Sequence, residues 1–114
     1  MRVAVTYDNG NIQQHFGSTE FFKIFNIEDG RIVSSDIIST NGKGHRELIP
    51  VVEALDVDAV ICGGLGMPIK EAIENSGKKL YVGVTGDADK AVSQMLDGSI
   101  EVNEGAVHTC SHGH

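Results

Sequence analysis

Four stretches of this 114-residue sequence carry side chains able to do chemistry. The first is Asp8 and the polar loop after it, which holds His15-Phe16-Gly17. The second is His45, at the end of a glycine-rich connector over residues 39–44. The third is Cys62-Gly63-Gly64-Leu65-Gly66, and the fourth is the closing run His108-Thr109-Cys110-Ser111-His112-Gly113-His114. The glycines at 63, 64 and 66 let backbone N–H groups turn toward one point, and a helix starting behind them adds positive partial charge. Such a loop suits an anion. Cys62 at its entrance is a soft ligand that ionises more readily beside a helix N-terminus. In the closing run His108, Cys110, His112 and His114 point the same way in an extended chain. Imidazole and thiolate suit zinc, copper or iron, although gaps of one residue are tighter than the usual zinc spacing.

Each of these residues also has a plain structural reading. A Gly-rich strand-to-helix turn often does no more than turn; this one is neither a Walker A motif nor a full G-x-G-x-x-G, because Ile69 holds the last glycine position. A cysteine ending a buried strand is more often packing than chemistry. His15 reads equally as a loop residue bonded to backbone, His45 as a helix cap, Asp8 as a turn residue, and Phe16 as a core plug that anchors its loop. The His/Cys run reads equally as a terminus that binds metals adventitiously.

The elements that must position these groups follow from hydrophobic spacing. Val and Ile outnumber Leu by 23 to 5, which favours pleated sheet. Residues 3–5 read as a buried central strand, 21–27 and 32–38 as a hairpin joined at Asp29-Gly30, and 57–62 and 80–84 as two further buried strands. Leu48, Val51, Val52 and Leu55 share one helical face, with Pro50 in the first turns. Pro68, Ile69, Ala72 and Ile73 begin and line a second helix that ends before Gly77. Asp87 caps a third helix, with Ala88, Ala91, Val92, Met95 and Leu96 on its buried face and Gly98 as its stop. The expected fold class is therefore α/β, a mixed five-stranded sheet with helices on both faces. Right-handed crossovers give the order 3-2-1-4-5, strand 2 antiparallel. The ends of strands 1 and 4 then open a crevice where such sheets bind ligands. Residues 1–98 form one domain, and 99–114, without periodicity, are expected to be a flexible tail.

Composition narrows the function. Leu, Ile, Val and Phe make up about 28% of the chain, above the ~20% below which disorder is the better reading. A net charge of −7 without a basic stretch argues against a nucleic acid backbone as partner. No apolar run approaches the ~18 residues of a membrane span, and the first residues enter a strand directly, with no signal-peptide pattern. Two distant cysteines make no disulfide framework, so a reduced cytoplasmic protein is expected.

The combination of His15-Phe16-Gly17 after a short first strand, His45 before the first helix and Cys62-Gly63-Gly64-Leu65-Gly66 after the fourth strand resembles the dinitrogenase iron–molybdenum cofactor-binding family. These are NifX-like proteins and the C-terminal domain of NifB, and the resemblance spans roughly residues 1–98. It implies a ribonuclease H-like three-layer fold and a non-catalytic binding or carrier role. The cargo would be an iron–molybdenum type cluster, an iron–sulfur precursor or a molybdenum–copper sulfide, held transiently. It carries His15, His45 and the glycine loop over as cluster contacts; Cys62 stands just before that loop, and Asp8 joins the candidate site from the crevice topology alone. The His108, Cys110, His112 and His114 run matches no family motif and stands as a separate metal-site candidate. Cluster donors and acceptors are the expected partners, for a monomer or weak homodimer. Three other readings compete. One is a regulatory module binding a small anion or nucleotide in the glycine loop, and one is a metal chaperone acting through the tail. The last, a metal-dependent nuclease or phosphohydrolase, is disfavoured because only Asp8 supplies a carboxylate at the crevice.

Overall fold

The structure, a computed structural model, describes residues 1–42, 44, 47–103, 105 and 107–108. Strand β1 (Arg2–Asp8) is the spine of the sheet, and Val3, Ala4 and Val5 in it have no exposed surface. A two-residue strand β2 (Asn11–Ile12) folds back on it through the Asn9-Gly10 turn, both residues at positive φ. β3 (Phe21–Glu28) pairs antiparallel with β1, and β4 (Arg31–Ser39) pairs antiparallel with β3. The Asp29-Gly30 turn between them has φ of 52° and 75°, the positive angles that a two-residue hairpin requires. On the other side of β1 lie β5 (Ala59–Ile61) and then β7 (Lys79–Tyr81), both parallel. The sheet order is β4-β3-β1-β5-β7.

The period-2 alternation of β1 sorts its side chains into two cores. Ala4 joins Phe22, Ile24 and Val60 beneath α1 (Leu48–Ala54) and α2 (Met67–Asn75). Val3 and Val5 join Phe25, Ala59 and Ile61 beneath α3 (Ala88–Asp97). Helices thus cover both faces of a mixed sheet. Pro68 stands in the first turn of α2, where its missing N–H matters least. Asp87 accepts a hydrogen bond from the Lys90 N–H at 2.9 Å, and Gly98, at φ 82°, ends α3 in the left-handed conformation.

Two features differ from the sequence reading. Strand pairing around Val82 and Val84 outlasts β7: Cys62 N–H donates to Tyr81 O, Gly83 N–H to Gly63 O, and Val84 N–H to Cys62 O, all within 3.0 Å. Gly83, at φ 73°, supplies the kink that breaks the regular ladder. Described residues after Gly98 also contact the body of the fold. Ile100 packs against the α3 core, Asn103 N–H donates to Val82 O at 2.8 Å, and β8 (Val107–His108) runs parallel to β6 (Leu65–Gly66). The expected tail boundary at residue 99 therefore falls within packed structure. Cys110, His112 and His114 lie outside the described residues.

Candidate functional site

The loop after β2 is held along its whole length. Gln13 N–H donates to Thr6 O at 2.9 Å, and the Thr6 hydroxyl donates to Gln13 O at 3.0 Å. The Gln14 amide donates to Ile12 O and to Val84 O, both at 3.1 Å, tying the loop to the far side of the parallel strands. Phe16 is fully buried, its ring edge-on to Phe22 at 5.9 Å between centroids. It pins a single 3-10 turn over Phe16–Ser18, closed by Ser18 N–H to His15 O and Thr19 N–H to Phe16 O. His15, immediately before the plug, is exposed. The buried Phe16 ring thus fixes the backbone from which the exposed His15 side chain projects.

The glycine segment lies against this loop. Gly64 N–H donates to Gln14 O at 2.7 Å, Phe16 N–H donates to Gly64 O at 2.9 Å, and His15 and Gly64 form a parallel bridge. A side chain on Gly63 would put its Cβ 2.6 Å from the Gln14 Cα. Glycine is needed there for close chain approach. The expectation that this segment turns a set of free amides toward an anion is corrected accordingly. The Gly64 amide is committed to Gln14, and Leu65–Gly66 pair with Val107–His108.

The connector before α1 adjoins the same loop. A Cβ on Gly44 would stand 3.1 Å from Gly17 O, and Glu47 N–H donates to Gly44 O at 3.0 Å. His45 itself lies outside the described residues; its neighbour Gly44 sits beside the His15-Phe16-Gly17 turn. The Thr40 hydroxyl, buried, donates to Thr19 O at 3.0 Å and fixes the approach of that connector. Three segments far apart in sequence thus meet at one end of the sheet, and β8 brings the His108 backbone into register with Gly66.

Cys62 and Asp8 stand elsewhere. Cys62 follows Val60 on the α1/α2 side of β5, has no exposed surface and packs in the same core as Ala4, Val60 and Leu65. Burial pushes its thiol up to about 12, the reverse of the depression expected beside a helix N-terminus. At neutral pH it is a small apolar core residue. Asp8 is exposed, pairs with Asn11, and lines an open hollow of about 570 Å³ with Tyr7, Phe21 and Ile37 rather than the glycine segment. Among the described residues, no three His, Cys, Asp or Glu side chains gather as a metal-binding set. Sequence reasoning passed over Gln14, whose amide bridges the loop to Val84, and Asn103, which occupies the space above Gly83. The only signal for either was a glycine opposite.

The chain matches relatives over nearly its full length. A protein of Methanocaldococcus jannaschii, MJ0580, is 26% identical over 106 residues, covering 89% of this chain and 90% of the relative. The crystal structure of PH0822 superposes with a TM-score of 0.84 at 20% identity, covering 93% of this chain and 97% of that one. The apo form of the orange protein from Desulfovibrio gigas superposes with a TM-score of 0.76 at 18% identity, covering 90% and 92%. The family model described as dinitrogenase iron-molybdenum cofactor matches residues 1–98, which include the His15 loop, the Gly44 connector and the glycine segment. By that match the chain belongs to the dinitrogenase iron–molybdenum cofactor family.

Proposed function

We propose that this protein is a non-catalytic binder or carrier of a metal–sulfur cluster. The cargo is of the iron–molybdenum type, an iron–sulfur precursor, or a molybdenum–copper sulfide. The observation that carries the reading is the meeting of the His15 turn with both Gly64 and Gly44. This arrangement sets an exposed imidazole beside the segments that carry His45 and the glycines. His15 and His45 are the metal contacts in this reading, and Gly63, Gly64 and Gly66 shape the floor on which the cluster rests. Few side-chain ligands make the hold reversible, as transfer between a donor and an acceptor protein requires. The same reading takes the three-layer architecture as ribonuclease H-like and the working compartment as the reducing cytoplasm. Among the described residues, no helix is long and apolar enough to cross a membrane.

The test is anaerobic reconstitution of the full chain with iron(II), sulfide and molybdate, followed by metal and sulfide analysis. A coloured protein of fixed stoichiometry is expected, with uptake reduced at least ten-fold in a His15→Ala, His45→Ala double variant. Full retention of colour and stoichiometry in that variant overturns the assignment. The competing anion-binding reading is weakened by the use of the Gly64 amide within the fold.

A further inference from the structure

β4 is the longest strand of the sheet, nine residues from Arg31 to Ser39, and it forms one edge. Edge strands are usually kept short or interrupted by Lys or Pro, because their outward N–H and C=O groups invite further pairing. This one has no Lys, Pro or Gly, and among the described residues it pairs only with β3. Every residue from Arg31 to Ile37 is exposed, and Val33 and Ile37 keep 55% and 53% of their surface in water. Neither belongs to the two cores.

The order of residues says what fits this edge. From Ile32 to Ile38 the strand reads apolar at 32 and 33, polar at 34–36, and apolar at 37 and 38, a pattern symmetric about Ser35. Such a strand is its own antiparallel complement, which an isologous two-fold interface requires. With the axis at Ser35, Val33 meets Ile37 of the second copy, and Ser34 meets its Asp36. The Ser34 hydroxyl already accepts from Asn26 Nδ2 at 2.9 Å, so its own proton remains for that carboxylate. An axis at Asp36 would set two carboxylates face to face, which destabilises a strand pair. An axis at Ser34 would set Ile32 against Asp36. Asp36 therefore selects one register instead of blocking the edge. Charge agrees: β4 balances Arg31 against Asp36 in a chain of net charge −7, so two acidic molecules meet along a neutral strip.

The β3–β4 ladder shifts register between Asn26 and Ile27, which leaves Val33 as the extra residue on β4. Bulges of this kind terminate regular pairing. The shared ladder then runs from Val33 to Ile37, a short contact of the weak, reversible class.

We propose that β4 pairs antiparallel with β4 of a second copy of this chain about a two-fold axis at Ser35, joining two sheets into one in a weak homodimer. That axis stands perpendicular to the sheet and reverses strand direction. The two candidate sites then lie at opposite ends of the joined sheet, and neither needs the other. The proposal is independent of the carrier reading.

The test is sedimentation velocity of the full chain under reducing conditions, from micromolar to millimolar protein. The sedimentation coefficient is expected to rise with concentration, and Val33→Lys and Ile37→Lys are each expected to raise the dimer dissociation constant at least ten-fold. Both positions are exposed, and circular dichroism checks that the variants fold. Register is read by cross-linking in a Cys110→Ser background. Directly opposed residues of an antiparallel pair have Cα atoms ~4.5–5.5 Å apart, within disulfide reach. Under mild oxidation Ser35→Cys is expected to give a linked dimer at least five-fold faster than Ser34→Cys or Asp36→Cys. A parent chain that stays monomeric at millimolar concentration overturns the proposal. So does a dimer that both lysine variants leave unchanged, or one that links equally at all three positions.

Discussion

Gly63 and Gln14 approach so closely that a Cβ on the glycine would stand 2.6 Å from the Gln14 Cα and 2.7 Å from its carbonyl oxygen. Both atoms are backbone, so no rotamer change relieves the clash. Gly66, three residues on, is different: its added Cβ would meet only the Pro68 ring, at 3.7 Å, an ordinary contact.

The two glycines therefore separate by mutation. Gly63→Ala is expected to lower unfolding free energy by about 1–3 kcal/mol, the usual range for overpacking, and to displace the His15 turn. Gly66→Ala is expected to stay within about 1 kcal/mol, the loss associated with alanine at a helix N-cap. Urea denaturation of both variants checks the contrast. Equal stability losses would mean that the glycines serve some shared purpose other than chain approach.

Cys62 gives the protein a pH dependence of known sign. Its thiol is raised from an ordinary 9.0 to about 12 by burial. Between those values the unfolded chain has lost the proton that the folded chain keeps, so the unfolded state binds fewer protons and stability falls as pH rises. The contribution is fully present below pH 9, and its loss approaches about 1.4 kcal/mol per pH unit within the window. Cys62→Ala is expected to flatten stability between pH 9 and 11 relative to the parent chain. Urea midpoints at half-unit intervals provide the measurement, and parallel curves for the two proteins would contradict it.

The sequence is informative where local chemistry decides and silent where distant backbone decides. Asp29-Gly30, Asp87 and Gly98 mark their turn, cap and stop because each answers a local backbone need. The alternation of Val3, Ala4 and Val5 points to a strand buried on both sides because two separate cores receive them. Cys62 carries no such local mark. With both faces helix-covered, either orientation is buried, and nothing local tells a core thiol from one at the crevice rim. The glycine segment poses the same problem. Exposing an amide and admitting a neighbouring chain both require glycine, and only the location of Gln14 separates them. β2 and β8, two residues each, lack the length to show a period and exist through their partners.

The commitment of the Gly64 amide to Gln14 O bears on the anion-binding alternative. An anion held in a nest of amides needs those amides free to point at it. Isothermal titration with inorganic phosphate, and separately with ATP, is expected to give no saturable heat at millimolar ligand. A dissociation constant below about 0.1 mM for either, abolished by Gly64→Pro but unaffected by His15→Ala, would favour the regulatory-module reading over the carrier.

Phe16 joins stability to site geometry through one side chain. Its ring is wholly buried against Phe22 and lies in the same core as Leu48 of α1 and Ile69 of α2, so Phe16→Ala is expected to remove about 3–5 kcal/mol. That loss is comparable with the ~5–15 kcal/mol that small domains possess, and the variant will sit near its unfolding threshold at 37 °C. Phe16→Leu keeps most of the apolar volume and is expected to lose less than half as much. Because Phe16 N–H also donates to Gly64 O, a looser plug lets the His15 turn move relative to the glycine segment. Phe16→Leu should therefore fold, yet release a reconstituted cluster to bathophenanthroline disulfonate several-fold faster than the parent chain. Circular dichroism melts and iron-release kinetics on the same preparation separate the two effects. A folded Phe16→Leu protein with unaltered release would show that cargo retention does not depend on how firmly this turn is seated.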